Sequence, residues 1–94
     1  MFSYTYLKGI RKGYLDKKML PYARRLYKNV VKEFITRDDK GLISINNCCA
    51  VGGLGGPSNR MGDFAYYLSE PIRSNDSKGV GPFIWASLEM EKLK

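Results

Sequence analysis

Two runs of this chain place apolar residues at every fourth position, and that spacing commits its first third to helix. Phe2, Tyr6, Ile10 and Tyr14 make one series; Tyr22, Leu26, Val30 and Phe34 make the other. Residues four apart lie one above the next on a single face of an α-helix. Between the runs stand Gly13, a natural helix stop, and Pro21, whose missing N–H does no harm in a first turn. Asp16 can cap a short turn over Lys17 and Lys18. The pattern predicts an antiparallel helical pair, one member over Phe2 to Tyr14 and the other from Pro21 to Thr36. Gly9 weakens the first by about 1 kcal/mol relative to Ala. Arg24, Arg25, Lys28 and Lys32 occupy the polar face of the second. No capping residue precedes the first series, because Met1 already belongs to it, which points to chain upstream of Met1.

The remainder is less regular. Asp38 to Gly41 reads as a turn, and Leu42, Ile43 and Ile45 around Ser44 as a short strand. The run Gly52-Gly53-Leu54-Gly55-Gly56-Pro57 forbids regular structure. Asp63 can cap a short helix over Phe64 to Ser69, which Pro71 ends. Ser74 to Lys78 reads as a polar turn, and Pro82 as the start of a last helix carrying Phe83, Ile84, Trp85, Ala86, Leu88 and Met90. Its first half is apolar nearly all round, which predicts a buried helix in the complete protein. The expected fold is mainly all-α, with one short strand and a Gly-rich loop.

At 94 residues the chain makes at most one domain, and 44% hydrophobic residues argue against disorder. No apolar run approaches the roughly 18 residues of a membrane span, so no membrane partner is expected. The N-terminus lacks the order of a signal peptide, which leaves the compartment open between cytoplasm and periplasm. Sixteen Lys and Arg against nine acids give a net charge of +7, which invites nucleic acid, an anionic membrane or an acidic sugar. A solvated basic face is the plainer reading. Tyr22 and Tyr27 sit on the apolar stripe rather than among the charges, so specific nucleic-acid binding is not expected.

Complete catalytic constellations are missing. There is no histidine, which removes Ser-His and Cys-His pairs. The only cysteines, Cys48 and Cys49, are adjacent, and neighbouring Cα atoms lie about 3.8 Å apart, below the usual disulfide range. They read as two reduced, largely buried thiols, with neither metal nor cofactor expected. The glycine run fits neither phosphate-binding glycine pattern and reads as a tight loop. Glu70 and Asp76, six apart, are too ordinary a pair to be an acid and base. Asn75 or Asp76 can cap a helix, and Gly79 and Gly81 permit close approach of a ligand or of another backbone.

Longer motifs carry a resemblance. They are Gly9-Ile10-Arg11-Lys12-Gly13-Tyr14-Leu15-Asp16, Val31-Lys32-Glu33-Phe34, Asp39-Lys40-Gly41-Leu42, and Cys49 leading into Gly53-Leu54-Gly55-Gly56. Arg60 and Gly62 follow, then Tyr66-Tyr67-Leu68-Ser69-Glu70-Pro71, Asn75-Asp76 and Lys78-Gly79-Val80-Gly81-Pro82-Phe83. Together they resemble the C-terminal segment of the unsaturated rhamnogalacturonyl hydrolases, glycoside hydrolase family 105. Met61 stands where that resemblance leads one to expect an acid between Arg60 and Gly62.

The resemblance implies an (α/α)6 toroid of helical hairpins, of which residues 1–94 would be a single C-terminal portion. It implies action on unsaturated uronic acids at the ends of pectin (rhamnogalacturonan) fragments. There an Asp protonates the sugar double bond and helps activate water, and the hemiketal opens to release the leaving sugar. No residue here matches that Asp, so no catalytic residue is assigned and the isolated chain is expected to be inactive. Tyr66, Tyr67, Asn75, Asp76 and Lys78 are the expected substrate-facing residues. Arg60 can serve there or buttress the loop. Bare apolar faces beside the first helix and around Phe83, Ile84 and Trp85 predict self-association. The alternative is a small basic binding module for nucleic acid or an acidic partner.

Overall fold

The computed structural model describes residues 1–93 and is mainly helical. Helix α1 spans Phe2–Arg11 and α2 spans Leu20–Phe34, with a single 3-10 turn at Lys17–Met19 between them. Strands β1 (Ile35–Arg37), β2 (Ile43–Ile45) and β3 (Cys48–Cys49) follow. Then come α3 (Phe64–Ser69), β4 (Ile72–Arg73) and α4 (Ser77–Lys92). Among the described residues no helix is long and apolar enough to cross a membrane.

The core is a seam between three helices. Leu7 and Ile10 of α1 and Ala23 of α2 are buried, ringed by Tyr6, Leu15, Met19, Leu20, Tyr27, Met90 and Leu93. Arg24 donates to the Leu93 carbonyl at 2.6 Å, while Tyr27 stacks on Phe83 and shares a 2.9 Å hydrogen bond with Ser87. Those pairings run α2 antiparallel to α4. Tyr4 meets Trp85 and Arg11 meets Glu89, so α1 runs in the same direction as α4. The predicted hairpin therefore forms, but its stripes are rotated. Ser3, Leu7 and Ile10 face inward on α1, whereas Phe2 is 80% exposed and Tyr14, beyond the helix end, is 83% exposed. With a helix packed on either side of it, α1 buries the residues that face both neighbours rather than the strict four-residue series.

Four further expectations change. First, α2 stops at Phe34, and Ile35 turns extended (φ −102°, ψ 129°). The β-branched Ile35-Thr36 pair instead opens β1, which pairs antiparallel with β2 in the register Ile35↔Ile45. Second, β3 pairs antiparallel with β4, Cys48 opposite Arg73, so two strand pairs replace the single expected strand. Third, Cys49 is exposed and Cys48 only half-buried, and both are free thiols. Fourth, α4 begins at Ser77, and Pro82 lies inside it. Asp76 starts the helix five residues before the proline by accepting from the Lys78 N–H at 2.9 Å. Ser77 and Lys78 are therefore helical, not turn. Within the described residues Ile84, Trp85 and Leu88 of α4 are each about half exposed.

The molecule is a slab of 46 × 38 × 17 Å. Its radius of gyration is 16.0 Å, against about 12 Å for a compact chain of this length. Its accessible surface is 7121 Å², against about 5,500 Å² for a compact monomer of its mass.

Candidate functional site

The five expected substrate-facing residues fall into two groups. Tyr66 and Tyr67 sit on α3, which Asp63 caps by accepting from the Tyr66 N–H at 2.8 Å. The Tyr66 hydroxyl donates to the Gly53 carbonyl at 2.8 Å, tying α3 to the glycine loop. The Glu70 carboxylate beside that hydroxyl holds the phenol above its ordinary value of 10.0; partial burial adds to this and the Arg60 guanidinium opposes it. Tyr67 is half exposed, its ring centroid 5.1 Å from that of Tyr66.

Arg60 holds the loop. Its Nε donates to the Gly55 carbonyl at 3.0 Å, and the backbones of Gly55 and Arg60 exchange hydrogen bonds of 2.7 and 3.0 Å. Gly55 and Gly56 carry φ of +71° and +76°, values that a side chain strains to reach. A Cβ at Gly56 would lie 3.2 Å from an Arg60 terminal nitrogen. Of the two roles open to Arg60, buttressing the loop is the one this geometry displays.

Asn75, Asp76 and Lys78 form the second group, at the head of α4. Asn75 sits at φ +57° and docks on β2. Its N–H donates to the Ile45 carbonyl at 2.7 Å, its Oδ1 accepts from the Ile45 N–H at 2.9 Å, and its Nδ2 donates to Ser44 at 3.3 Å. The Asp76 side chain is only 6% exposed and pairs with the Lys78 ammonium at 3.0 Å, while the Lys78 side chain is 61% exposed. The Lys78 N–H and ammonium hold the Asp76 carboxyl below its ordinary value of 3.8.

An apolar cleft of about 220 Å³ opens beside this group. Tyr27, Val30 and Phe34 of α2 line it with Ile45, Pro82 and Phe83, and Asn46, Asn47 and Lys78 add polar groups. Of the five expected residues, only Lys78 lines it. Gly79 also lines it, and a Cβ there would fall 2.5 Å from the Cys48 sulfur. The close approach read from Gly79 is thus to a side chain of this chain. Sequence reasoning passed over the tie from the Tyr66 hydroxyl to the Gly53 carbonyl and the Asn46-Asn47 pair. Asn47 has φ +60°, and two adjacent asparagines after a strand were the available signal. Among the described residues no group of three His, Cys, Asp or Glu could hold a metal ion.

The motif-bearing turns and the three-helix seam recur in known proteins. A model of Glycosyl Hydrolase Family 88 matches residues 1–94. The chain belongs to that family. A solved family 105 glycoside hydrolase of C. acetobutylicum ATCC 824 superposes on the family 88 chain with a TM-score of 0.93 at 50% identity. The match covers 96% of this chain and 25% of that one, and it upholds the resemblance read from the sequence. Two curated relatives are each 35% identical over 95 residues: Protein Atu3128 of Agrobacterium fabrum and the 24.9 kDa protein in the picA locus of Rhizobium radiobacter. The match takes in 95% of this family 88 chain and 41% of each of them.

Proposed function

We propose that this glycoside hydrolase chain is the C-terminal portion of an enzyme that removes unsaturated uronic acids from pectin fragments by hydrating the sugar double bond. The 50% identity to a family 105 hydrolase, over 96% of this chain, carries the reading. The reading assigns the proton donor to the part of the enzyme outside this portion. Asp76 is engaged by Lys78. The contribution of this portion is a polar rim. The exposed Lys78 ammonium is a cation for the uronate carboxylate, and the open face of Tyr67 offers a surface on which a sugar ring can stack. Asn75 and Asp76 set where that rim stands, by docking on β2 and capping α4.

The test is a hybrid in which this chain replaces the matched quarter of the C. acetobutylicum enzyme. Turnover is read as loss of ultraviolet absorbance by an unsaturated rhamnogalacturonan disaccharide. The hybrid is expected to turn over, the isolated chain to be silent, and Lys78→Ala in the hybrid to raise KM more than it lowers kcat. A folded but inactive hybrid would sink the reading. So would activity of the isolated chain that scales with its concentration.

A further inference from the structure

One side chain joins the end of α2 to the head of α4. The two helices run antiparallel, so the last residue of α2, Phe34, stands across the cleft wall from Lys78 and Gly79. Strand β1 leaves α2 directly, and β4 runs into the turn before α4, so each strand pair extends one helix. Asn46 and Asn47 fill the gap between the pairs. The Asn46 Nδ2 donates to the Phe34 carbonyl at 3.2 Å and to the Thr36 hydroxyl at 2.9 Å, and its Oδ1 accepts from the Ser74 hydroxyl at 2.8 Å. A carboxamide offers two N–H donors and one acceptor oxygen, and each is engaged here. The two donors alone would close the β1–β2 pair; the bond from Oδ1 is the one that reaches the α4 head.

The same stretch holds that head at two further points. Asn75 bonds Ile45 and Ser44, and a Cβ at Gly79 would fall 2.5 Å from the Cys48 sulfur. Residues 74–79 are thus seated on residues 44–48, by hydrogen bonds at one end and by steric contact at the other. Lys78 stands inside that span, its ammonium 3.0 Å from Asp76.

We propose, resting on the reading of Lys78 as the uronate's cation, that Asn46 is a positioning residue for it. By holding Ser74 to the end of α2, Asn46 fixes the backbone from which the Lys78 side chain reaches, and so where the ammonium meets the carboxylate. Every contact in this chain of support lies within residues 34–79, whatever a longer family member packs around them. Truncation of Asn46 releases the turn selectively. Its backbone N–H still donates to the Phe34 carbonyl at 2.8 Å, and the register Ile35↔Ile45 stays in place.

The family 105 hybrid carries the test, with hydrogen exchange and steady-state kinetics on each variant. Asn46→Ala is expected to speed exchange at the amides of Asn75, Gly79 and Val80 by about fivefold or more, while those of α2 hold. Lys78→Ala is expected to raise KM about tenfold, the loss of one charge-assisted contact. Asn46→Ala is expected to raise KM about threefold, more than it lowers kcat, and to add nothing further in the Lys78→Ala background. Ser74→Ala breaks the same bond from its other end, so a poorly folded Asn46→Ala does not end the test. It is expected to match Asn46→Ala, and Ser74→Thr, which keeps the hydroxyl, to restore KM. Unchanged exchange in Asn46→Ala and Ser74→Ala overturns the proposal, and so does a KM loss that adds to that of Lys78→Ala. A Lys78→Ala hybrid with unchanged KM strikes the role given to Lys78, and the proposal with it, in an arm where Asn46 is intact.

Discussion

Glu89 is the carboxylate on which the seam turns. It is 4% exposed, and it takes Arg11 in two contacts, Nε to Oε2 at 2.5 Å and a terminal nitrogen to Oε1 at 3.0 Å. That fork pulls its pKa below the ordinary 4.5, against the opposing effect of burial. Because the folded value is depressed, the stabilisation is complete above about pH 4.5 and is lost as pH falls through the folded value. Urea midpoints measured between neutral and acid pH should fall in that window, and Glu89→Gln should flatten the fall. Glu89→Ala should lower stability at neutral pH, because the seam loses a buried side chain and Arg11 loses its partner. Asn75 invites a graded test. Ala removes both the side-chain hydrogen bonds and the tolerance for φ +57°, at about 2 kcal/mol, whereas Gly keeps the backbone and should cost about half as much. Equal losses from the two changes would dismiss the backbone part.

At the scale of elements, α4 is a helix with a good cap and a poor sixth residue. Pro82 has no N–H for the Lys78 carbonyl and lies well past the first turn. Pro82→Ala should therefore raise stability by about 1–2 kcal/mol, part of the helix gain being offset by a freer unfolded chain. A lower thermal midpoint would mean that the proline ring is needed for the cleft wall it lines. The sequence had both signals, Asp76 and Pro82, and the proline looked like the start because prolines favour first turns. Capping decided it. The other three helices were legible from spacing, Asp63 and Gly13, since their signals are local. β1, β3 and β4 were not, because two- and three-residue strands exist only through their partners, and Cys48↔Arg73 joins positions far apart in the chain. The candidate site shows the same divide. The roles of Asn75 and Asp76 at a turn and cap could be read from neighbours in sequence. Glu70 beside Tyr66, and Arg60 folded over Gly55, depend on how the loop returns.

At the scale of the molecule, a 17 Å slab with its positive charge on one side makes a definite electrostatic prediction. A labelled oligonucleotide should bind weakly, with Kd no tighter than about 1 µM, without sequence preference, and with steep loss between about 50 and 200 mM salt. Arg25 lies over the Tyr22 ring and Arg24 is engaged by the Leu93 carbonyl, so two of the four cations on the polar face of α2 already have contacts within the chain. Tight binding that survives about 200 mM salt would restore the binding-module reading.

The seam also has a history in time. Arg11 and Glu89 are 78 residues apart, so α1 waits for α4 before its second wall arrives. Contacts across so long a separation close late, after the local α1–α2 pair has formed. A ribosome delivering these residues in order holds a hairpin with Leu7 and Ile10 half roofed until the 16-residue α4 emerges. Helix α4 finishes this core, and the α4-facing side of α1 stays open to solvent until it docks.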